Sequence, residues 1–320
     1  MFERLRPEAV RAAAKRIAPH IRRTPLVRSP ELSDIAGGDV YFKLENEQLT
    51  GSFKLRGALN ALSCLSPAQK AAGIVASSAG NHGMGVASAA KTLGIKAKIY
   101  VPKGAPDVKK NGIRSFGAEL DDAAADYDVA MEMAKADSAK TGRPFINPCL
   151  GDDLIAGQGT VALEIIEELP ALKSIVVNVG GGGLLGGCAS LLRHERPDVR
   201  IYGAQSVNTA AMSKSLAAGH IVDIPSVPTL ADGLAGLIDA DAFDIGRHGL
   251  DGIAVLTEDE IAQAIAWLNR AHRARVEGAG ACAAGAVLFK KLRVETPCAV
   301  VVSGGNIDHA RWTEITRRSQ

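Results

Sequence analysis

Short apolar segments alternate with helical segments along most of this chain, and this alternation restricts its fold more than any other feature. The segments at 174–179 and 298–302 read Ser-Ile-Val-Val-Asn-Val and Cys-Ala-Val-Val-Val. Both are rich in β-branched residues and far shorter than a membrane span. Continuous apolar strands that alternate with helices are typical of parallel sheets covered on both faces. The sequence therefore predicts an α/β fold built on parallel sheets.

The predicted elements fall into two groups along the chain. Strands are expected at about 40–44, 73–77, 97–101, 119–120, 174–179, 199–204 and 298–302. Helices are expected at about 7–20, 55–62, 84–93, 106–116, 126–140, 155–169, 183–193, 258–273 and 279–292. Breaks near Gly73 and at 147–151 predict a small domain at 74–149 and a large domain formed by 1–73 and 150–320. A cleft between two α/β units is a common ligand site.

The composition argues against several classes of partner. The formal net charge is +2 and aromatic residues make up 4% of the chain, which disfavours nucleic acids and anionic membranes. No apolar run approaches the roughly 18 residues of a membrane span, and no apolar signal core follows Met1. The five cysteines form no Cys-x-x-Cys pair, and the histidines show no metal-binding spacing. We expect a soluble cytoplasmic protein with reduced thiols.

Four consecutive glycines, Gly180 to Gly183, follow the predicted strand at 174–179 and precede a helix. Backbone N–H groups without neighbouring side chains can point into a concavity, and a helix N-terminus adds partial positive charge. The run therefore predicts a phosphate cradle, with a flexible packing turn as the structural alternative. It lacks the spacing of a dinucleotide fingerprint, has no acidic residue near 205, and has no closing Gly-Lys-Ser/Thr.

Three other segments carry candidate functional side chains. Lys54 lies between two glycines and beside the aromatic ring of Phe53, where an amine can be held against a flat ligand. Asn81 lies in a turn of small residues after a predicted strand, and its structural alternative is a helix N-cap. Ser303 follows the last buried strand, at the end where α/β sheets place their ligand groups. The segment at 276–281 fits a polar helix start as well as it fits a functional site.

Seven motifs occur in one order: T-G-S-F-K-L-R-G, S-A-G-N-H-G, G-Q-G-T, G-G-G-G-L, A-D-G, E-G-A-G and S-G-G-N. Together they resemble the pyridoxal-phosphate fold-type II threonine/serine dehydratase family, which includes serine and threonine ammonia-lyases and serine racemases. The resemblance spans about residues 20–310. It implies a two-domain, tryptophan-synthase-β-like fold, bound pyridoxal 5'-phosphate, and a homodimer. The implied reaction is β-elimination of an amino acid such as L-threonine or L-serine to a 2-oxo acid and ammonia.

The resemblance also implies roles for individual residues. Lys54 corresponds to the lysine that forms the Schiff base with the cofactor and takes the Cα proton of the substrate. Phe53 would lie beside the cofactor ring, Asn81 would hydrogen-bond its hydroxyl, and Ser303 would contact the pyridine nitrogen. Backbone donors to the phosphate would come from Gly180, Gly181, Gly182, Gly183 and Leu184. The substrate carboxylate is expected at Ser78, Asn81 and His82.

The chain differs in several places from the family that it resembles. Ala79 stands where serine racemases carry a serine that acts on the opposite face, which favours a dehydratase. The run at 204–211 lacks the carboxylates of the family's divalent-cation site, so no metal is expected there. Tyr127 aligns with an arginine of serine racemases, which leaves a second substrate carboxylate with less support. The chain ends at Gln320, soon after the last motif, which indicates a catabolic enzyme without the regulatory domain of biosynthetic threonine deaminases.

Several other functions remain open from the sequence. The substrate can instead be 3-hydroxyaspartate, phenylserine or an intermediate of hydroxyectoine breakdown. A β-replacement synthase of the same fold is the nearest rival, although such enzymes typically show Ser-Val-Lys and T-S-G-N-T-G at the corresponding motifs. A non-enzymatic binding protein is disfavoured by the intact Lys54. A nucleotide-dependent oxidoreductase is disfavoured by the missing dinucleotide fingerprint.

Overall fold

Two β-sheets organise the chain. The computed structural model describes residues 5–105, 107–236 and 238–318. Its strands are β1 (Leu26–Arg28), β2 (Val40–Leu44), β3 (Ile74–Ser77), β4 (Ala97–Pro102), β5 (Glu119–Ala124), β6 (Ser174–Asn178), β7 (Arg200–Ser206), β8 (Gly252–Leu256) and β9 (Cys298–Val302). Six strands form one sheet in the order β1-β2-β9-β6-β7-β8, and three form the other in the order β3-β4-β5.

Both sheets are parallel except at one edge. In the large sheet β9 pairs with β2 on one side and with β6 on the other, both in parallel. Every residue of β6 and β9 is buried, as expected for strands that are covered on both faces. The exception is β1, which pairs with β2 in the antiparallel sense. The structure confirms the predicted α/β class with helix-covered parallel sheets.

Helices cover both faces of the sheets. They are α1 (Pro7–Ile17), α2 (Pro30–Ala36), α3 (Lys54–Cys64), α4 (Pro67–Ala72), α5 (Asn81–Leu93), α6 (Asp107–Ser115), α7 (Tyr127–Thr141), α8 (Asp152–Glu168), α9 (Gly183–Glu195), α10 (Ala211–Ala218), α11 (Ala240–Gly249), α12 (Glu258–His272), α13 (Gly278–Leu288) and α14 (His309–Arg318). None of the helices among the described residues is both long and apolar enough to cross a membrane.

The observed elements differ from the predicted ones at several points. The sequence analysis did not predict β1, β8, α2, α4, α10, α11 or α14. Helix α5 begins at Asn81, three residues before the predicted start, and its N-cap is Gly80 rather than Asn81. The predicted start of α6 at Pro106 lies outside the described residues. The small sheet falls within 74–149, and the division of the chain into two domains at these limits stays a prediction.

Close backbone contact fixes the helix that follows the glycine run. A Cβ atom on Gly187 in α9 would lie 2.3 Å from the backbone nitrogen of Gly159 in α8. A Cβ atom on Gly159 would lie 2.6 Å from the carbonyl oxygen of Gly187. Both positions therefore require glycine, and α8 and α9 cross with their backbones in contact. This crossing holds the N-terminus of α9 over the carboxyl end of β6.

Helix α3 joins the two sheets. It packs between α5, which follows the small sheet's first strand, and α8, which belongs to the large sheet. A Cβ atom on Gly85 of α5 would lie 3.2 Å from the carbonyl carbon of Lys54. Leu55, Leu59 and Leu62 of α3 are buried in the apolar core of the small sheet. The first residue of α3 therefore lies at the boundary between the two sheets.

Candidate active site

The lysine segment and the last strand's loop are hydrogen-bonded to each other. The backbone N–H of Phe53 donates to the carbonyl oxygen of Ser303 at 3.1 Å, and Gly305 donates to Gly51 at 2.9 Å. Ser52 and Gly304 form an isolated antiparallel bridge between these two contacts. The structure therefore brings Lys54 and Ser303 into one site, although 249 positions separate them in the sequence.

The amine of Lys54 has few partners. Its Nζ atom donates to the carbonyl oxygen of Pro148 at 2.7 Å and lies 3.9 Å from the Sγ atom of Cys149. The ring of Phe53 lies on its other side, with the centroid 5.4 Å from Nζ. Within the described residues no carboxylate forms a salt bridge with this amine. One neutral hydrogen bond leaves the amine able to react with a ligand in the cleft.

The glycine run forms a cradle against the same loop. It links the end of β6 to the start of α9, and Gly182 adopts the left-handed backbone conformation with φ of 86°. A Cβ atom on Gly181 would lie 2.7 Å from Cys149 Sγ, and one on Gly183 would lie 2.9 Å from the Cys149 carbonyl oxygen. The first N–H groups of a helix have no partner within the helix. A phosphate is the group that such an electropositive cradle of backbone N–H groups prefers.

An asparagine on β6 supports the hydroxyl of Ser303. The Nδ2 atom of Asn178 donates to Ser303 Oγ at 3.1 Å and to the Val301 carbonyl at 3.0 Å. Its Oδ1 atom accepts from the backbone N–H of Ala283 at 2.7 Å, which fixes the orientation of the amide. Because Ser303 accepts from Asn178, its own hydroxyl hydrogen is left to donate to another partner.

Asn81 is held at the cleft by two side chains of the large sheet. Its Nδ2 atom donates to Glu277 Oε1 at 2.6 Å. Its Oδ1 atom accepts from Asn306 Nδ2 at 2.7 Å, and Asn306 also donates to the carbonyl oxygen of Thr50 at 2.8 Å. Asn81 therefore links the start of α5 to the loops that carry Lys54 and Ser303. Glu277 was singled out in the sequence only as part of an ambiguous helix start.

The turn before α5 offers donors for an anion. The Ser78 hydroxyl accepts from the Gly80 N–H at 3.1 Å, and its hydrogen is left to donate elsewhere. His82 is buried, and its Nε2 atom lies 3.0 Å from the Ile146 carbonyl oxygen, which can only accept. Burial, and then the charge of Lys54, lower the pKa of His82 to about 3, so the ring is neutral. The ring's Nδ1 atom then accepts only, and the donor of His82 toward an anion is its backbone N–H.

A buried ion cluster lies behind the lysine segment, and the sequence analysis did not predict it. Arg56 donates to both carboxylate oxygens of Glu45 at 2.8 Å, and to both of Glu164 at 2.7 and 2.9 Å. Lys43 reaches Glu164 at 2.6 Å. Burial opposes ionisation of Glu164, but the hydrogen bonds and charge of Arg56 hold the pKa of Glu164 below its usual range. The cluster anchors the first turn of α3, which begins at Lys54.

The run at 204–211 is occupied by hydrogen bonds within the chain. The Nε2 atom of Gln205 donates to the carbonyl oxygens of Val179 and Thr209 at 3.0 and 2.9 Å. Its Oε1 atom accepts from the Ser213 N–H at 2.9 Å. Across residues 5–105, 107–236 and 238–318, no group of three or more His, Cys, Asp or Glu side chains is arranged to hold a metal ion.

Comparisons with known proteins agree on one family. The family model for pyridoxal-phosphate dependent enzymes matches residues 17–304. The L-threonine ammonia-lyase of Thermotoga maritima is 41% identical over 302 residues, which cover 94% of this chain and 75% of that protein. The catabolic L-threonine dehydratase TdcB of Escherichia coli K12 is 38% identical over 308 residues, which cover 95% and 94%. Maize serine racemase superposes with a TM-score of 0.93 at 32% identity, covering 99% of this chain and 98% of that one.

The site fits the cofactor of this family. The amine of Lys54, the glycine turn at the N-terminus of α9 and the hydroxyl of Ser303 are groups of the kinds that could hold an aldehyde, a phosphate and a ring nitrogen. All three come from loops at the carboxyl ends of strands or the start of a helix, where α/β sheets bind their ligands. The chain belongs to the pyridoxal-phosphate-dependent enzymes, as a lyase of the fold-type II threonine/serine dehydratase family whose cofactor is pyridoxal 5'-phosphate.

Proposed function

We propose that this enzyme eliminates the β-hydroxyl of a hydroxy amino acid and releases a 2-oxo acid and ammonia, with L-threonine as the first substrate to test. The names of the two lyases that resemble the chain support both the reaction and the substrate. L-Serine, 3-hydroxyaspartate, phenylserine and an intermediate of hydroxyectoine breakdown are the alternative substrates. The expectations of a cytoplasmic location and a homodimer stay predictions.

The observation that carries the proposal is the pair formed by Asn178 and Ser303. Asn178 donates to the Ser303 hydroxyl, which leaves the hydroxyl hydrogen available to donate to a bound ring nitrogen. A hydroxyl donor suits an unprotonated pyridine nitrogen, whereas a carboxylate would hold a proton on it. An unprotonated ring withdraws electrons from the substrate less strongly. This favours a reaction in which the leaving group departs with those electrons at once. Elimination of a β-hydroxyl is such a reaction.

Lys54 has two tasks in this proposal. When bound, pyridoxal phosphate withdraws electrons from the substrate's Cα and so acidifies its proton. The Nζ atom of Lys54 holds the cofactor before the substrate arrives and afterwards, as a free amine, takes the Cα proton. The Pro148 carbonyl accepts from Nζ at 2.7 Å and can hold the released amine within the cleft. The Phe53 ring presents an apolar surface beside Nζ, with its centroid 5.4 Å away.

The other proposed cofactor contacts use groups that the fold already orients. Backbone N–H groups of Gly180, Gly181, Gly182, Gly183 and Leu184 would hold the phosphate. Asn81 would hydrogen-bond the ring hydroxyl, because Glu277 and Asn306 fix its amide at the cleft. Phe53 would pack beside the ring. The segments of Phe53 and Asn81 are hydrogen-bonded to the loop that follows β9, and the glycine run packs against Cys149.

The substrate carboxylate would bind at the start of α5. Ser78 offers its hydroxyl hydrogen, while Asn81 and His82 offer backbone N–H groups of the first helical turn. A helix N-terminus favours an anion. The neighbouring Ala79 has no group that can exchange a proton, whereas serine racemases that this chain resembles carry a serine at this position. Proton transfer on one face supports elimination over racemisation.

A panel of amino acids tests the proposed function. We would load the purified protein with cofactor and offer L-threonine, L-serine, 3-hydroxyaspartate and phenylserine, while measuring 2-oxo acid and ammonia. Equal amounts of the two products from at least one of them are expected. Lys54→Ala serves as the control for non-enzymatic release. If no hydroxy amino acid gives 2-oxo acid, but a thiol or sulfide acceptor gives a β-replacement product, the proposal is wrong.

A further inference from the structure

Glu277 is a buried carboxyl group at the cleft that the proposed reaction does not use. Glu277 is only 6% exposed, and it lies directly before α13. Asn81 Nδ2 donates to its Oε1 atom at 2.6 Å, and the backbone N–H of Asn306 also donates to it. No salt bridge joins it to a basic side chain in the described part of the chain. The nearby Lys109 pairs instead with Asp232, at 2.6 Å.

Glu277 and Asn306 determine which way the Asn81 amide points. An ionised carboxylate only accepts hydrogen bonds, so the amide nitrogen of Asn81 must face Glu277. Asn306 donates through Nδ2, so the amide oxygen of Asn81 must face Asn306. One hydrogen on Asn81 Nδ2 then remains for a third partner. The three side chains come from the start of α5, the residue before α13 and the loop after β9, so they meet only in the folded chain.

We propose that Glu277 is a positioning residue, whose carboxylate turns the amide hydrogen of Asn81 toward the 3'-oxygen of the cofactor and thereby favours the deprotonated form of that oxygen. The inference rests on the proposed contact between Asn81 and the cofactor. A donor stabilises an anionic oxygen more strongly than a neutral hydroxyl. Loss of the carboxylate's charge weakens the preference, because a protonated carboxyl can donate as well as accept, and of the two partners only Asn306 then still orients the amide.

The surroundings of Glu277 place this change within an accessible pH range. Burial raises the pKa of Glu277 to about 7, and the negative charge of Asp232 acts in the same direction. The hydrogen bond from Asn81, the charge of Lys109 and the backbone N–H of Asn306 oppose the shift. Since the carboxyl binds its proton as pH falls through this value, Glu277 and Asn306 both orient the amide of Asn81 on the alkaline side, and only Asn306 of the two orients it on the acid side.

The absorbance of the bound cofactor reports the protonation of its 3'-oxygen without turnover of a substrate. Its visible and near-ultraviolet bands report the deprotonated and protonated 3'-oxygen. We would titrate the holoenzyme from about pH 5.5 to about pH 8.5, the range in which the carboxyl changes charge. The wild type is expected to lose visible absorbance as pH falls, whereas Glu277→Gln is expected to show no such transition. Glu260→Gln, which removes the capping-box carboxylate of α12, is the matched control and should titrate like the wild type.

Two further variants make the outcomes decisive. Asp232→Asn keeps Glu277 but removes the nearby negative charge, so the midpoint should move to lower pH. This arm stays informative if Glu277→Gln does not fold. If Glu277→Gln keeps the wild-type transition, or Asp232→Asn leaves the midpoint unchanged, the positioning role is refuted. If Asn81→Ala abolishes the transition while Glu277→Gln keeps it, only this inference fails. If Asn81→Ala also keeps the transition, the proposed contact of Asn81 with the cofactor fails as well.

Discussion

Replacing Arg56 by methionine should destabilise the protein by about 3–5 kcal/mol, because the replacement strands a buried carboxylate. Arg56 is fully buried and makes five hydrogen bonds, two to Glu45, two to Glu164 and one to Thr160. Burial opposes the charge of Arg56, but the two carboxylates raise its pKa above the ordinary arginine value. The guanidinium is therefore the positive charge that the two carboxylates share.

The two carboxylates differ in what they retain after the replacement. Glu164 keeps the amine of Lys43 at 2.6 Å and its side chain is 10% exposed. Glu45 is 0% exposed and, within residues 5–105, 107–236 and 238–318, its carboxylate keeps only the side-chain hydroxyl of Thr24, at 2.5 Å. One uncompensated buried carboxylate is thus expected, which sets the magnitude at about 3–5 kcal/mol. Arg56→Met combined with Glu45→Gln removes that charge and should recover a large part of the lost stability.

Urea unfolding followed by circular dichroism measures the change in the free energy of unfolding. The comparison holds if the dependence on urea concentration is the same for each variant. Arg28→Met is the matched control, because Arg28 and Asp39 form an ion pair at 2.7 Å with side chains 47% and 46% exposed. That variant should show no measurable change in the unfolding midpoint. If Arg56→Met is as stable as Arg28→Met, or if adding Glu45→Gln recovers nothing, the account of the cluster is refuted.

Three further predictions concern the cleft. Gly181→Ala should weaken cofactor binding by about tenfold or more, because its Cβ atom would lie 2.7 Å from Cys149 Sγ. Equilibrium dialysis measures the affinity for the cofactor, and Gly104→Ala, whose Cβ atom would meet nothing, is the control. If the two variants bind the cofactor equally well, the glycine run does not form the phosphate site. Ala79→Ser restores the hydroxyl that serine racemases carry at this position, so chiral chromatography should detect D-amino acid that the wild type does not form. Absence of the D-amino acid would argue against proton transfer on one face. The imidazole of His82 should show no titration by NMR between about pH 5 and about pH 8, because burial and the charge of Lys54 lower its pKa to about 3. A titration of the ring between these pH values would show that the ring is not neutral.

Local patterns in the sequence were sufficient for four of the six strands of the large sheet, β2, β6, β7 and β9, and for the loops that follow β6 and β9. The buried strand, the four glycines and the helix after them are found as predicted at β6 and α9. The structure also brings Lys54, Asn81 and Ser303 to one cleft. These features were predictable because apolar strands, glycine runs and strand ends each have a physical signature within a few residues.

Contacts between distant residues were not predictable in the same way. Glu277 and Asn81 are 196 positions apart, and Arg56 and Glu164 are 108 apart. In the sequence, each of these side chains is an ordinary polar residue, and only the packing of α3 and α8 shows which charges are buried. Helix α5 began earlier than predicted because glycine and asparagine have low helix propensity, which tertiary contacts override here. The unpredicted β1 has three residues and a mostly exposed edge position, so its pattern is too short to identify.

The attachment of the cofactor is the claim on which the proposed chemistry depends, and one measurement tests it directly. The holoenzyme would be treated with borohydride, which makes the bond between lysine and cofactor permanent, and its peptides would be analysed by mass spectrometry. The account predicts that the cofactor's mass is found on the peptide that contains Lys54, and that Lys54→Ala carries none. Cofactor on another lysine of the wild type, or no covalent cofactor at all, would contradict it.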